Sequence, residues 1–247
     1  MIHVTSTALN AGTLAYECVR SVCMQTYRAW QMHFFDAAST DNTMGQAMSA
    51  ANGYSCENQV RFHSEDKRTG IFDKLLPLWR SLPDEDTIVW LDGDDALATK
   101  TALATVAMTH DAGALVTYGQ FMWADGSLGF ASPVGPDPRA EPWRATHLKT
   151  FRAGLVKQIK DEDLRDEDGE YYKYVTDQCV MLPLLEMAPE RSIFIPKILH
   201  LYNGDSNQGI GRGINGQRDR ENEFRVLTRI RNQARYKRTT VGISGAV

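Results

Sequence analysis

Two hydrophobic periodicities alternate along the first half of the chain. Short apolar or β-branched runs occur at Ile2–Ser6, Trp30–Phe35, Val60–His63, Thr87–Leu91 and Ala114–Phe121. Bounded by Gly, Asn and Asp, such runs read as strands. Between them lie segments with helical spacing: Leu14, Cys18, Val19 and Val22 after Thr13; Thr43 to Ala51; Ile71, Leu75, Leu78 and Trp79 within Gly70–Leu82; and Lys100 to His110. Thr13 is the expected cap of the first helix, and Pro77 is expected to kink the third. This alternation implies βαβ units and a mostly parallel sheet flanked by helices. Right-handed crossovers bring the strand ends and their loops to one edge, where open α/β sheets bind ligands. Asp36 and Asp92 each follow an apolar run directly, so both are expected to face one crevice.

The fourth run ends most abruptly. Leu91 is followed by Asp92-Gly93-Asp94-Asp95, three carboxylates within four positions. Carboxylates this close repel one another unless a cation shares them. Hard oxygen ligands suit Mg²⁺ or Mn²⁺, the usual companions of a diphosphate. A solvated Asp-Gly turn is the plain alternative.

The second half is less regular. Gly126 to Pro142 is rich in Pro and Gly and reads as a long loop or irregular hairpin. Thr146 to Val156 has helical spacing. Lys160 to Tyr172 is mostly acidic and is expected to be a solvated face. Asp177 to Met187 is helix-compatible apart from Pro183, and Ser192–Ile195 and Ile198–Tyr202 read as two short strands. A basic helix is expected over Arg218–Lys237. Its arginines are expected to snorkel from an amphipathic helix, with contact to a phosphate backbone as the functional alternative.

Composition narrows the class. With 247 residues, 43% of them hydrophobic, the chain can bury a core without staples. A net charge of −4 does not describe a polycation built for nucleic acid. The four cysteines form no CxxC pair, which argues against a zinc knuckle or a disulfide framework. There is no signal peptide and no run near 18 apolar residues, so the expectation is a cytoplasmic protein without membrane contact.

Two spaced motifs then resemble a known family. Ser21-Val22-Cys23-Met24-Gln25-Thr26-Tyr27, followed by Asp36-Ala37-Ala38-Ser39-Thr40-Asp41-Asn42-Thr43, is similar to the N-terminal signature of family 2 glycosyltransferases, nucleotide-sugar enzymes of the GT-A fold. Asn10 falls at that family's Asn, and Asp92-Gly93-Asp94-Asp95 at its acidic metal motif. Val116–Phe121, His147-Leu148-Lys149-Thr150-Phe151 and Asp177 through Met187 resemble a viral and collagen-type branch. The resemblance covers about residues 2 to 203.

It implies a GT-A, Rossmann-like α/β domain over residues 1–216, with an irregular C-terminal acceptor-side portion, and a basic helix and tail over 217–247 packed on it or extending from it. The donor is a nucleotide sugar with UDP favoured, the cofactor Mn²⁺ or Mg²⁺, and the reaction an inverting transfer to a hydroxyl. Asp36 would hold the base, although Ala37 and Ala38 stand where the family has Asp and Gly. Thr7 and Asn10 would line the pocket floor, Arg68 would lie near the nucleotide, and Asp92 would support the metal or touch the ribose. Asp94, Asp95 and His200 are the implied metal ligands, His147 an acceptor-side contact, and Asp177 the base. Gly211-Arg212-Gly213-Ile214-Asn215-Gly216 fits GxGxxG but lacks the strand-turn-helix context of a dinucleotide site. It reads instead as a lid, with Arg212 reaching a phosphate. The acceptor stays open between a glycan, a protein hydroxyl and a hydroxymethylated DNA base, the last a phage-type DNA glycosyltransferase activity. A non-catalytic nucleic-acid-binding module built on the basic tail is the non-enzymatic alternative.

Overall fold

A computed structural model describes residues 1–204 and 219–239. The Gly-rich segment with Arg212 lies outside the described residues, as does Arg218.

The alternation in the sequence becomes one face-covered sheet. Strands β1 (Ile2–Ala8), β2 (Trp30–Asp36), β3 (Val60–Ser64) and β4 (Thr87–Trp90) are separated by helices α1 (Thr13–Cys23), α2 (Thr43–Gly53) and α3 (Ile71–Ser81). A two-residue strand β5 (Ala96–Leu97), helix α4 (Ala102–Asp111) and strand β6 (Val116–Trp123) follow. Strand β7 (Lys149–Arg152) leads into a one-turn helix α5 (Ala153–Val156), then α6 (Thr176–Met187), β8 (Ser192–Tyr202) and α7 (Arg220–Asn232). Sheet order is β3-β2-β1-β4-β7-β6-β8-β5. The first four strands pair in parallel, and β7 enters antiparallel between β4 and β6.

Period-two alternation on the strands divides the core. Val4, Met32, Phe34, Val89 and Leu91 face α1 and α2, while Ile88, Trp90 and Phe151 face α3 and α6. Trp79 of α3 is fully buried on the second face and donates its indole N–H to Thr5 Oγ1 at 3.1 Å. This satisfies a polar atom in an otherwise apolar layer.

Several expectations from the sequence are corrected. Thr13 is the first helical residue rather than the cap; Gly12, at φ 53°, occupies the cap position and no side chain bonds there. Residues 146–156 are not one helix: Lys149–Arg152 is a strand paired on both sides, and only Ala153–Val156 is helical. Pairing on both edges outweighs local spacing. The two short strands of the last third are one strand, β8, with register shifts opposite Gly119–Phe121 that absorb Pro196. The acidic stretch is not merely a solvated face. Leu164 is buried, and Asp161 accepts from Arg80 at 2.9 Å, Arg165 at 2.6 Å and Tyr171 at 2.8 Å. The C-terminal helix stops at Asn232.

Helix α7 docks on α6 through buried Val226 and Ile230. Beneath it lies Arg139, whose side chain is fully buried and forks onto Glu186 at 2.5 and 3.1 Å. Arg231 donates to the carbonyls of Arg139 and Glu141. All four cysteines are buried and free. No helix among the described residues is long and apolar enough to cross a membrane.

Candidate active site

Parallel pairing of β1 with both β2 and β4 brings the acids together. Ala8 lies opposite Asp36, and the next amide, Ala37 N–H, donates to the Ala8 carbonyl at 2.9 Å. On the other side, Gly93 N–H donates to the Thr7 carbonyl at 3.0 Å. A Cβ at Gly93 would stand 2.7 Å from the Ala8 Cβ and 2.8 Å from the Thr7 oxygen. Glycine there lets the acidic turn close directly onto the end of β1. Asp36 and Asp92 thus flank one strand end and share one crevice.

The signature residues act as fasteners. Buried Gln25 accepts from Leu103 N–H at 2.9 Å and donates to Thr99 O at 2.7 Å. Ser21 Oγ accepts from Leu97 N–H at 2.9 Å. The end of α1 therefore grips the segment that follows Asp95. Asn10, at φ 51°, is exposed at the end of β1. Its Oδ1 accepts from Thr40 N–H at 2.8 Å and its own amide donates to Ser39 Oγ at 2.9 Å, so it braces the loop after Asp36. Asp36 is buried and accepts from Ser39 N–H at 3.0 Å. Arg68 is exposed in the loop after β3. Buried Lys74 fastens that loop, donating to Thr69 O at 2.9 Å and pairing with Glu65 at 3.0 Å.

Asp95 and His200 meet because β5 pairs antiparallel with β8, setting Leu97 opposite His200. Asp95 Oδ2 lies 2.8 Å from His200 Nε2, and its Oδ1 accepts from Asn203 N–H at 2.8 Å. His147 stacks on His200 at 4.3 Å between ring centroids. Asp95, His147 and His200 each offer one ligand atom, all within 4.8 Å of one another. The buried Nδ1 of His200 has no hydrogen-bond partner. A carboxylate and two imidazoles converging beside an orphaned ring nitrogen fit a divalent first-row ion. His147 thus sits in the ligand cluster, whereas Asp94 is exposed and contributes no atom to it.

Electrostatics match a site built for a cation. Burial, then the Asp92 charge, holds the Asp95 carboxyl well above the usual range. Burial pushes His200 down to about 3, leaving its imidazole neutral at neutral pH. Their contact is therefore a hydrogen bond sharing one proton rather than an ion pair. Loss of hydration, then the charges of Asp95 and Asp92, raises Asp94 to about 7. A divalent ion would reverse this pattern by favouring every carboxylate anion.

Lys149, which the sequence reading left without a role, supplies the local positive charge. Opposite Trp90 in the β4–β7 ladder, its buried ammonium lies 3.8 Å from Asp92 Oδ2 and 4.9 Å from the centroid of the Trp90 ring. Its place in a strand, invisible to helical spacing, was the missing signal.

Asp177 sits in the first turn of α6. The cap residue is Val175, a β-branched residue at φ 54°, and not Thr176 or Asp177. Such strain costs on the order of 1–3 kcal/mol and persists only where the surroundings enforce it. Burial raises the Asp177 carboxyl, opposed by the Lys149 charge. Asp177 lines a cavity of about 20 Å³ together with His147 and Tyr202, which joins it to the cluster above. A larger cleft of about 370 Å³ lies between the 134–138 loop, the end of α6 and the tail. Its charges pair internally, Arg235 with Asp137 at 3.2 Å and Arg238 with Glu190 at 2.5 Å. Arg229 pairs with Glu167 at 2.7 Å as well. The described tail therefore uses these arginines within the chain and does not present them as a free array for a phosphate backbone.

The profile of the family described as "Glycosyl transferase family 2" matches residues 4–160. No curated protein matches the chain. Among solved structures, S. aureus TarS 1–349 in complex with UDP-GlcNAc is similar at a TM-score of 0.63 and 14% identity, covering 93% of this chain and 65% of that one. The longer S. aureus TarS structure gives 0.61 and 17%, with 82% and 36% covered. The mannosyltransferase PcManGT from Pyrobaculum calidifontis, in complex with GDP-Man and Mn²⁺, gives 0.56 and 17%, with 83% and 57% covered. The chain thus spans between about a third and two thirds of the length of these structures. At such identities the likeness speaks for the GT-A fold alone.

Proposed function

The chain belongs to glycosyl transferase family 2, and we propose that it is a glycosyltransferase that moves a sugar from a nucleoside diphosphate, UDP first among the candidates, to an acceptor hydroxyl with inversion. The observation that carries this reading is that Asp177 lines one cavity with His147, a member of the Asp95–His147–His200 cluster. The acidic turn alone would support no more than cation binding.

In this reading Asp36 accepts from the base N–H, with Thr7, Asn10 and Arg68 around the nucleotide and Arg212 as a contact from the Gly-rich segment. Asp92 and Asp94 face the ribose and diphosphate. Asp95, His147 and His200 hold Mn²⁺, which when bound neutralises charge on the leaving diphosphate. Lys149 holds the Asp92 carboxylate and tempers the acid cluster. Asp177, its carboxyl raised by burial and opposed by the Lys149 charge, takes the acceptor proton. The acceptor oxygen forms its bond to the anomeric carbon as the bond to the diphosphate oxygen breaks, and the nucleoside diphosphate leaves with that electron pair. One displacement on the face opposite the leaving group inverts the centre.

Asp177→Asn is the direct test, scored by nucleotide release from a panel of UDP- and GDP-sugars with Mn²⁺. Donor binding is expected to persist while transfer falls by about 10²–10⁴-fold, the usual contribution of a general base. Transfer at the wild-type rate would place the base elsewhere.

A further inference from the structure

The cavity beside Asp177 is walled by Phe121, Trp123, Phe130, Trp143 and Tyr202. Its polar side chains are Trp143, Thr146, His147, Asp177 and Tyr202. No Lys or Arg is among the lining residues. Thr146 is 3% exposed, and its buried hydroxyl has no hydrogen-bond partner. The indole N–H of Trp143 is also buried without one, though it lies close enough to Asp177 to favour the charged carboxylate. Buried polar atoms left unpaired cost about 1–3 kcal/mol each, so their presence calls for a partner that arrives.

At about 20 Å³, the cavity has room for one water-sized group and not for a sugar ring. Outside it, the adjoining 128–130 segment presents apolar side chains to solvent. Phe130 is 46% exposed and Leu128 64% exposed. Both are held in place: Leu128 bridges to Met122, and Gly129 N–H donates to the Phe121 carbonyl at 2.8 Å. A Cβ at Gly129 would meet the Phe121 ring at 2.2 Å, so only glycine lets this hairpin press on that ring. Phe130 then stands edge-on to Phe121 at 5.7 Å, and Trp123 edge-on to Tyr202 at 4.8 Å.

We propose that this cavity seats the acceptor hydroxyl, and that the aromatic rim reads the C–H face of an uncharged saccharide acceptor. The proposal rests on Asp177 being the base. The hydroxyl entering the cavity donates to Asp177 and accepts from the Trp143 N–H, which leaves its second lone pair for the anomeric carbon. The ring that carries this hydroxyl cannot follow it and lies on Phe130 and its neighbours. A phosphorylated acceptor or a nucleic acid would bring anions to a mouth whose one charged lining residue among those described is a carboxylate, while the Lys149 ammonium is buried and engaged by Asp92.

Two measurements on the full chain test this. Quenching of Trp fluorescence by methyl hexosides and neutral disaccharides, set against sugar phosphates and duplex DNA, reads binding without turnover. Nucleotide release from the donor panel, with the same compounds added, reads transfer. Neutral saccharides are expected to bind and to stimulate release. Trp143→Phe, which keeps the ring and removes the N–H, and Phe130→Ala at the exposed rim are each expected to raise the saccharide KM by about tenfold, with the effect on KM rather than kcat. Preference for sugar phosphates or DNA, or a saccharide affinity unmoved in both variants, overturns the proposal. Saccharide binding that weakens in these variants while no nucleotide sugar is turned over upholds this site and fails the transfer reading instead.

Discussion

Two histidine clusters lie in the same sheet and differ in almost everything but residue type. At the strand-end edge, His147 and His200 converge with Asp95 so that their ligand atoms fall within 4.8 Å of one another. On strands β1, β2 and β3, His3, His33 and His63 form a ladder instead, with centroids 5.8 and 5.7 Å apart. Both clusters contain buried ring nitrogens without partners: Nδ1 of His200 in one, and Nδ1 of His3, both nitrogens of His33 and Nε2 of His63 in the other. In the ladder a single carboxylate, Asp86, meets His3 at 3.0 Å, and its other oxygen is taken by the N-terminal ammonium at 2.8 Å. Unsatisfied nitrogens therefore do not by themselves mark a metal site. Convergence on one point does, together with a surplus of negative charge, and pairing of a two-residue strand with the last strand creates it.

The contrast can be broken in several ways. The largest effect is expected from His200→Ala, which should lower Mn²⁺-dependent transfer by at least about 100-fold. His33→Leu should leave transfer unchanged. Equal losses in the two variants would erase the distinction.

Mn²⁺ binding itself gives the next effect. At about 100 times its dissociation constant, a ligand that binds only the folded state stabilises it by roughly 2.7 kcal/mol. That increment should appear in thermal unfolding of the wild type and of His33→Leu. It should be absent from His147→Ala and His200→Ala. A Mn²⁺ shift lost in His33→Leu would move the site to the ladder.

Acid sensitivity probes the ladder without metal. Burial, then the neighbouring charges of His3 and His63, lowers His33 to about 4 from an ordinary value near 6.5. The unfolded chain therefore binds more protons between these values, and stability is lost as pH falls from about 6.5 toward 4. Allowing for partial hydration, His33 accounts for roughly 1–2 kcal/mol of that loss. His33→Leu should flatten the unfolding profile over this window; an unchanged profile would mean that His33 is hydrated in the folded chain. At neutral pH the same substitution, which removes two unpaired polar atoms, should be neutral or stabilising by about 1 kcal/mol in urea unfolding. Gly93→Ala probes the platform under the acids. Pressing on Ala8 and on the Thr7 carbonyl, it should cost about 1–3 kcal/mol and weaken donor binding.

The local chemistry of the chain was largely legible beforehand. Alternating apolar runs and helical stripes implied a mostly parallel sheet, because period and burial are tied to backbone geometry. Acids directly after apolar runs implied a shared crevice, because parallel strands end on one side. Asp95 and His200 were joined by resemblance, and they do touch. Other contacts could not be read from the sequence. Lys149 became the counter-charge of Asp92 only when its segment, helical by spacing, paired between β4 and β6. His147, expected on the acceptor side, lines the cavity beside Asp177 and also stacks on His200. The ring of aromatics around Asp177 draws on β6, the 126–143 loop and β8. Sequence periodicity specified which way each strand's side chains point, since that depends on neighbouring residues alone. Which side chains meet at one point was decided by strand order and register, which follow from packing the whole chain around a common core.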